Sequence, residues 1–209
     1  MKYLLKHKID SFISFVHKLE LHKWNIMDKS IGERYKIMKE KDSLKELKKL
    51  AKERGIKHNY REIISWMDNL YIMYKCLSNL PSKTNIDVKT LDVIAEYKIP
   101  YTMHRIDYMI TMDNKILLIE FSFADNKSRN ERFQNKLNQV ICYKELLYGI
   151  LPNHIKISTY TFIITPTIDE CYEIIEDNYL EEQIENLSNF IYDYFSTTNK
   201  SAIEELEKF

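Results

Sequence analysis

A chain of 209 residues with 44% hydrophobic and 30% charged residues, three Gly and four Pro can bury one sizeable core, and it is too poor in turn formers for a disordered, collagen-like or loop-rich scaffold. Its formal net charge is zero, yet sixteen Lys and Arg face eight acids up to Lys57, and two Lys face twelve acids from Thr167 onward. That asymmetry excludes a uniformly basic protein but permits a basic face for a polyanion; it fits equally well two solvated helical surfaces of opposite sign.

Cys76, Cys142 and Cys171 are widely spaced and form no CxxC pair, so neither a disulfide framework nor a zinc or iron–sulfur cage is expected. No apolar run approaches the roughly 18 residues of a membrane span. Charges run through the opening MKYLLKHKIDSFISFVHKLELHK, which argues against a secretory signal. The expected setting is cytoplasmic and reducing, with no membrane partner.

In chain order, Leu4, Leu5, Ile9, Phe12, Ile13, Phe15, Val16 and Leu19 recur at near-helical spacing and predict one amphipathic helix. Ser30-Ile-Gly-Glu33 and Ser43-Leu-Lys-Glu46 match the capping box that opens a helix, and Gly55 closes the second of these helices. Residues 1–57 thus read as a basic helical extension, continuous with a core over 58–209 in one compact unit. A further helix is predicted from about Asn59 to Leu80, with Ile63, Ile64, Met67, Leu70, Tyr71, Met73 and Tyr74 buried.

Beyond Pro81 the period changes. VIAEYKI, YTMHRIDYMIT and KILLIEFSF are β-leaning runs separated by Pro100 and by Asp113-Asn114, and they predict a three-stranded meander whose last two strands form a hairpin. Ser128-Arg-Asn-Glu131 opens a helix to about Leu147, IKISTYTFIITP predicts a fourth strand, and Thr167-Ile-Asp-Glu170 opens acidic helices. This order predicts an α/β or α+β fold around a central mixed sheet.

The chemistry is concentrated between Arg105 and Tyr143. Strand residues alternate faces, so Arg105, Asp107 and Met109 share one side of their strand, and Leu118, Glu120 and Ser122 share one side of the next. A charge inside a run as apolar as ILLIEFSF is costly without a partner, and a divalent cation is one such partner. Mg²⁺ or Mn²⁺ takes oxygen ligands and is commonly held by one or two carboxylates plus water and phosphate, which suits Asp107 with Glu120. On the following helix Arg132, Lys136, Gln139 and Tyr143 fall within a sector of about 60°, beside the apolar Phe133, Leu137, Val140, Leu147 and Leu151. The ordinary alternative for each acid is an ion pair, with Arg105 or Lys115 as the cation.

Asp107, the IEFS segment, the Gln139-x-x-x-Tyr143 spacing and the strand–strand–helix–strand order over residues 91–166 resemble the PD-(D/E)xK nuclease superfamily, in particular its helicase-associated exonuclease and phage-type branch. The resemblance implies a restriction-endonuclease-like core and a metal held by Asp107, Glu120 and the carbonyl of Phe121. It implies that Gln139 and Tyr143 contact substrate or brace the site, and that an acid from the preceding helix completes it, with Glu62 the candidate, Glu96 a strand alternative and His58 a further neighbour. Ser122 stands where the motif lysine belongs, and Ile106 where its proline belongs. In some members the lysine comes from the following helix, a role that falls to Lys136.

The expected activity is metal-dependent hydrolysis of phosphodiester bonds in nucleic acid, DNA before RNA, with Arg105 and Arg132 also contacting the substrate. The alternatives are a catalytically degenerate relative that binds nucleic acid or a protein partner, and an interaction protein whose oppositely charged ends pair in a homodimer. The expected partners are nucleic acid and either a second copy of the chain or a larger nucleic-acid-processing complex.

Overall fold

The central sheet is laid down by the alternating runs that the sequence marks, and a computed structural model describes residues 3–24, 31–39, 42–80, 88–123, 128–164 and 179–196. The strands are β1 (Leu5–Lys8), β2 (Asp92–Lys98), β3 (Arg105–Met112), β4 (Lys115–Phe123) and β5 (Lys156–Ile164). They form one five-stranded sheet in the order β1-β2-β3-β4-β5. The first four pair antiparallel, and β5 runs parallel to β4 in the register Glu120↔Thr161. The mixed α/β class is therefore as read from the sequence.

The helices among the described residues are α1 (Ile9–Lys18), α2 (Ile31–Lys39), α3 (Asp42–Glu53), α4 (Tyr60–Ser78), α5 (Arg129–Tyr148) and α6 (Tyr179–Ser196). Helix α5 provides the crossover that a parallel β4–β5 pair requires. It covers one face of the sheet through Val140, Tyr143 and Leu147, which meet Ile94, Met109, Leu118 and Ile157. The other face carries the larger core, where Phe12 of α1, Met67 and Met73 of α4, and Ile184 and Leu187 of α6 join Tyr108, Ile110, Leu117, Ile119 and Phe162.

The turn signals are used unevenly. Asp113 adopts φ 50° in the β3–β4 turn, the left-handed geometry that an Asp or Asn tolerates. Gly55, at φ 63°, ends α3 as its Ile56 N–H reaches Ala51 O at 2.8 Å and its own N–H reaches Lys52 O at 3.1 Å. Ser43, expected to cap α3, lies within that helix and is buried. Ser128 occupies the N-cap of α5 in a helical backbone conformation and makes no side-chain cap hydrogen bond. The boxes at Ser30 and Thr167 start outside the described residues. The complete capping box is at Asn59, whose side chain accepts from the Arg61 and Glu62 amides while Glu62 Oε2 accepts from the Asn59 amide at 2.8 Å.

The single helix expected from Leu4 to Leu19 is corrected. Leu5–Lys8 is a strand, paired Leu5↔Ala95 through Lys8↔Asp92, and α1 starts only at Ile9. Leu5-Lys6-His7-Lys8 satisfies strand alternation as well as helical spacing, and the open edge of β2 decides between them by offering backbone partners. Leu4, Leu5, Ile9 and Phe12 are buried in the larger core, so the basic N-terminal stretch shares that core with α4 and α6.

Helix α2 is locked to α4 by a buried polar group. Arg34 forms an ion pair with Asp68, Trp24 Nε1 donates to the other Asp68 oxygen at 2.7 Å, and the Arg34 guanidinium lies 5.3 Å from the centre of the Phe123 ring at the end of β4. Burial pushes the Asp68 carboxyl up to about 6, against the pull of Arg34 and of the Trp24 hydrogen bond.

Candidate active site

The β3–β4 ladder runs from Met112↔Lys115 to Tyr108↔Ile119, and one step beyond it Asp107 stands opposite Glu120. There the side chains replace the ladder. Glu120 Oε1 accepts from the Asp107 amide at 3.0 Å, and Asp107 Oδ2 accepts from the Phe121 amide at 2.9 Å. Strand alternation sends both carboxylates to the α5 side, the face that also carries Met109 and Leu118.

Helix α5 delivers Lys136 to this pair. Its Nζ lies 2.8 Å from Glu120 Oε2 and 3.9 Å from Asp107 Oδ2. Glu120 is fully buried, whereas 21% of the Asp107 side chain reaches solvent. Ser122, on the same face of β4 at the position of the missing motif lysine, makes a 3.5 Å contact with the Phe123 carbonyl. Lys136 approaches the acids from the helix instead.

A third carboxylate belongs to the same group. Glu96 of β2 is buried and adopts φ 56°, a left-handed conformation inside a strand. The flanking pairs Ala95↔Tyr108 and Tyr97↔Ile106 place it opposite Asp107, at the step where the β2–β3 pairing is interrupted. A non-glycine residue at positive φ in mid-strand is held there by its surroundings, and such strain collects at functional sites. Arg105 makes an ion pair with Glu96 through Nε and reaches Glu62 Oε1 through its terminal nitrogen at 3.0 Å. Glu62 is thus at the outer side of Arg105, with its second oxygen in the α4 capping box, and is not brought to Asp107 and Glu120.

The electrostatics follow from crowding and burial. Burial, then the neighbouring Asp107 charge, raise the Glu120 carboxyl to about 8 against the pull of Lys136. Burial raises Asp107, opposed by Lys136 and by the Phe121 amide. Burial and the Asp107 charge carry Glu96 well above the ordinary carboxylate range. Among the described residues Glu62, Glu96, Asp107 and Glu120 pair only with Arg105 and Lys136, so with every group ionised the cluster carries an excess of two negative charges.

The remaining candidates divide between brace and surface. Gln139 Nε2 donates to the Tyr143 hydroxyl, and the Tyr143 ring is buried with its centre 5.4 Å from that of His104. Arg132 is exposed on the first turns of α5, where residues 130–135 are all exposed. Phe133, grouped with the apolar side of this helix, is one of them. The His58 ring packs against Trp66, and its Nδ1 lies 3.2 Å from Ile56 O, outside the acid cluster.

A cleft of about 580 Å³ opens onto Glu96, Arg105, Asp107 and Gln139, within the range of about 300–1,000 Å³ typical of ligand sites. No known family model and no curated protein matches the chain.

Two carboxylates, held by backbone amides, meet an ammonium beside the cleft, and Asp107 is the one of the three on its lining. A carboxyl with raised proton affinity beside a lysine can hold a proton or release it on demand, and the same oxygens can accept a cation. Among the described residues no group of three or more His, Cys, Asp or Glu side chains stands in metal-ligand geometry. Sequence reasoning named Glu96 only as an alternative; the available signal was an acid in the otherwise apolar run VIAEYKI.

Proposed function

We propose that the protein is a divalent-metal-dependent nuclease that hydrolyses phosphodiester bonds in DNA or RNA, with a restriction-endonuclease-like core formed by β2–β4, α5 and β5. The observation that carries this reading is the convergence of Lys136 from α5 on the Asp107–Glu120 pair, which supplies from the helix the cation that Ser122 lacks on the strand. The resemblance around Asp107, IEFS and Gln139-x-x-x-Tyr143 supports it independently.

The residues fit a divalent ion. With every group ionised one Mg²⁺ or Mn²⁺ would offset the cluster's excess of two negative charges, and the carboxyls that burial raises are the ones a bound cation would bring to the ionised form. Asp107 and Glu120 would hold the ion with the Phe121 carbonyl, and water and substrate phosphate would complete an oxygen shell that needs few protein ligands. Such an ion supplies Lewis-acid stabilisation to the phosphate and lowers the pKa of water. Lys136 then neutralises charge on a phosphate oxygen or orients the attacking water. The Gln139–Tyr143 bond keeps the face of α5 in register beside it, and Arg105 holds Glu96 away from the incoming phosphate.

The full burial of Glu120, whose two oxygens already accept from Lys136 and the Asp107 amide, favours a second reading in which the site binds nucleic acid without cutting it. Incubation with single- and double-stranded DNA and RNA in Mn²⁺ separates the two. Cleavage by the wild-type chain that Glu120→Ala abolishes supports the nuclease. Binding without cleavage, or calorimetry in which Mn²⁺ uptake is untouched by Asp107→Ala and Glu120→Ala, overturns it.

A further inference from the structure

The turn between β2 and β3 carries side chains that the fold does not use. It is stiff: Ile99 N–H donates to His104 O at 3.1 Å, Thr102 N–H donates to Ile99 O at 3.3 Å, and Thr102 Oγ1 accepts from the His104 amide at 3.1 Å. On this frame Tyr101 is fully exposed and Met103 is 89% exposed. Tyr101 also sits at φ 63°, where Gly or Asn would be less strained than an aromatic residue. Folding stability gives no reason for a solvated ring in a strained conformation.

Met103 lines the cleft that leads down to Glu96 and Asp107, and Lys57 and Lys98 stand on the same lining. Neither lysine enters an ion pair or side-chain hydrogen bond among the described residues. Arg105, on the same lining, is committed to Glu96 and Glu62. The lining thus carries these two lysines, Met103 of the turn and the acids Glu96 and Asp107, and the exposed Tyr101 stands two residues before Met103.

The exposed ring bears on the form of the ligand. In an intact duplex the base faces are covered by one another, whereas an unpaired strand can lay a base face on a solvated ring such as Tyr101 while its phosphates meet the lysines of the lining. Cationic grooves with aromatic platforms are how proteins hold unpaired strands, because every base offers a face to stack on.

We propose that the cleft admits single-stranded nucleic acid, with Lys57 and Lys98 contacting backbone phosphates and Tyr101, flanked by Met103, covering the face of an unstacked base at the entrance. This assigns the substrate class of the site above and rests on the nucleic-acid reading of it.

Fluorescence anisotropy of the full chain in EDTA, with a labelled short oligonucleotide as single-stranded DNA, single-stranded RNA and blunt duplex DNA, tests it. At least one single strand is expected to bind about tenfold or more tightly than the duplex, and Tyr101→Gly to weaken that binding by about tenfold, the order of one lost stacking contact. Lys57→Ala and Lys98→Ala are each expected to reduce the salt slope by about 0.7. Tyr101→Gly relieves the strained backbone, so an unchanged thermal midpoint alongside weakened binding separates recognition from folding. Duplex binding equal to or tighter than single-strand binding, or affinity indifferent to all three substitutions, overturns the proposal. Tight, substitution-sensitive single-strand binding without cleavage in Mn²⁺ leaves it standing while the nuclease reading fails, and Mn²⁺-dependent cleavage with duplex preference has the opposite meaning.

Discussion

Replacing Arg34 by Met removes the cation from the buried Arg34–Asp68 pair and keeps a side chain able to fill much of the space. The Asp68 carboxyl is held at about 6 in the folded chain against an ordinary value of 3.8. A raised carboxyl stabilises the fold most when it is protonated in both states, below 3.8, and that contribution is lost as pH rises through about 6, an interval worth about 3 kcal/mol. Above pH 6 Asp68 is ionised in both states of the wild type, and its contribution is flat. In Arg34→Met the carboxyl keeps its proton to higher pH, so stability goes on falling by about 1.4 kcal/mol per pH unit. Between pH 6 and pH 8 the gap between variant and wild type widens by at most about 3 kcal/mol, the order found when a buried pair loses one member. Lost packing and the lost contact with Phe123 add an offset that does not vary with pH. Urea unfolding at several pH values reads the difference through tryptophan fluorescence, to which Trp24 contributes directly because its indole donates to Asp68. An equal destabilisation at pH 5 and pH 8 would refute the reasoning, since it would mean that Arg34 acts by shape alone.

Lys136→Met should lower Mn²⁺-dependent cleavage by about a hundredfold to ten-thousandfold, the usual weight of a positioned proton-transfer group, while oligonucleotide binding in EDTA changes only slightly. A loss below about tenfold would remove Lys136 from the reaction. Asn59→Ala eliminates both capping hydrogen bonds of the α4 N-terminus and should cost about 1 kcal/mol in chemical denaturation. An unchanged midpoint would show that the Asn59 side chain adds nothing to the stability of α4.

The acid pair was legible because its geometry is local. Two β-leaning runs with Asp113-Asn114 between them set the hairpin, strand parity set the face of Asp107 and Glu120, and helical spacing put Lys136 and Gln139 on one side of α5. Glu62 was misjudged through a signal that was present: Asn59 and Glu62 have capping-box spacing, and one oxygen of Glu62 is used there. Three features depended on distant contacts. The strand at Leu5–Lys8 exists because β2 has an open edge to pair with. The left-handed backbone of Glu96 carries no glycine to advertise it, and arises where a buried acid meets Asp107 and Arg105. Tyr143 is buried in the core formed with Ile94, Met109 and Leu118 of three strands, and His104 reaches its ring from the β2–β3 turn.

The pairing of β1 with β2 has a consequence for how the chain is made. During synthesis Leu5 emerges first, yet its partner Ala95 follows about ninety residues later, roughly five to twenty seconds at ordinary elongation rates. Until then the N-terminal strand has no ladder to join, and joining it later means closing a long loop, whose entropy cost grows only slowly with length. The edge of the sheet beside Glu96 is consequently completed late, and a nascent chain halted before β2 exposes both an unpaired strand and the apolar face of α1.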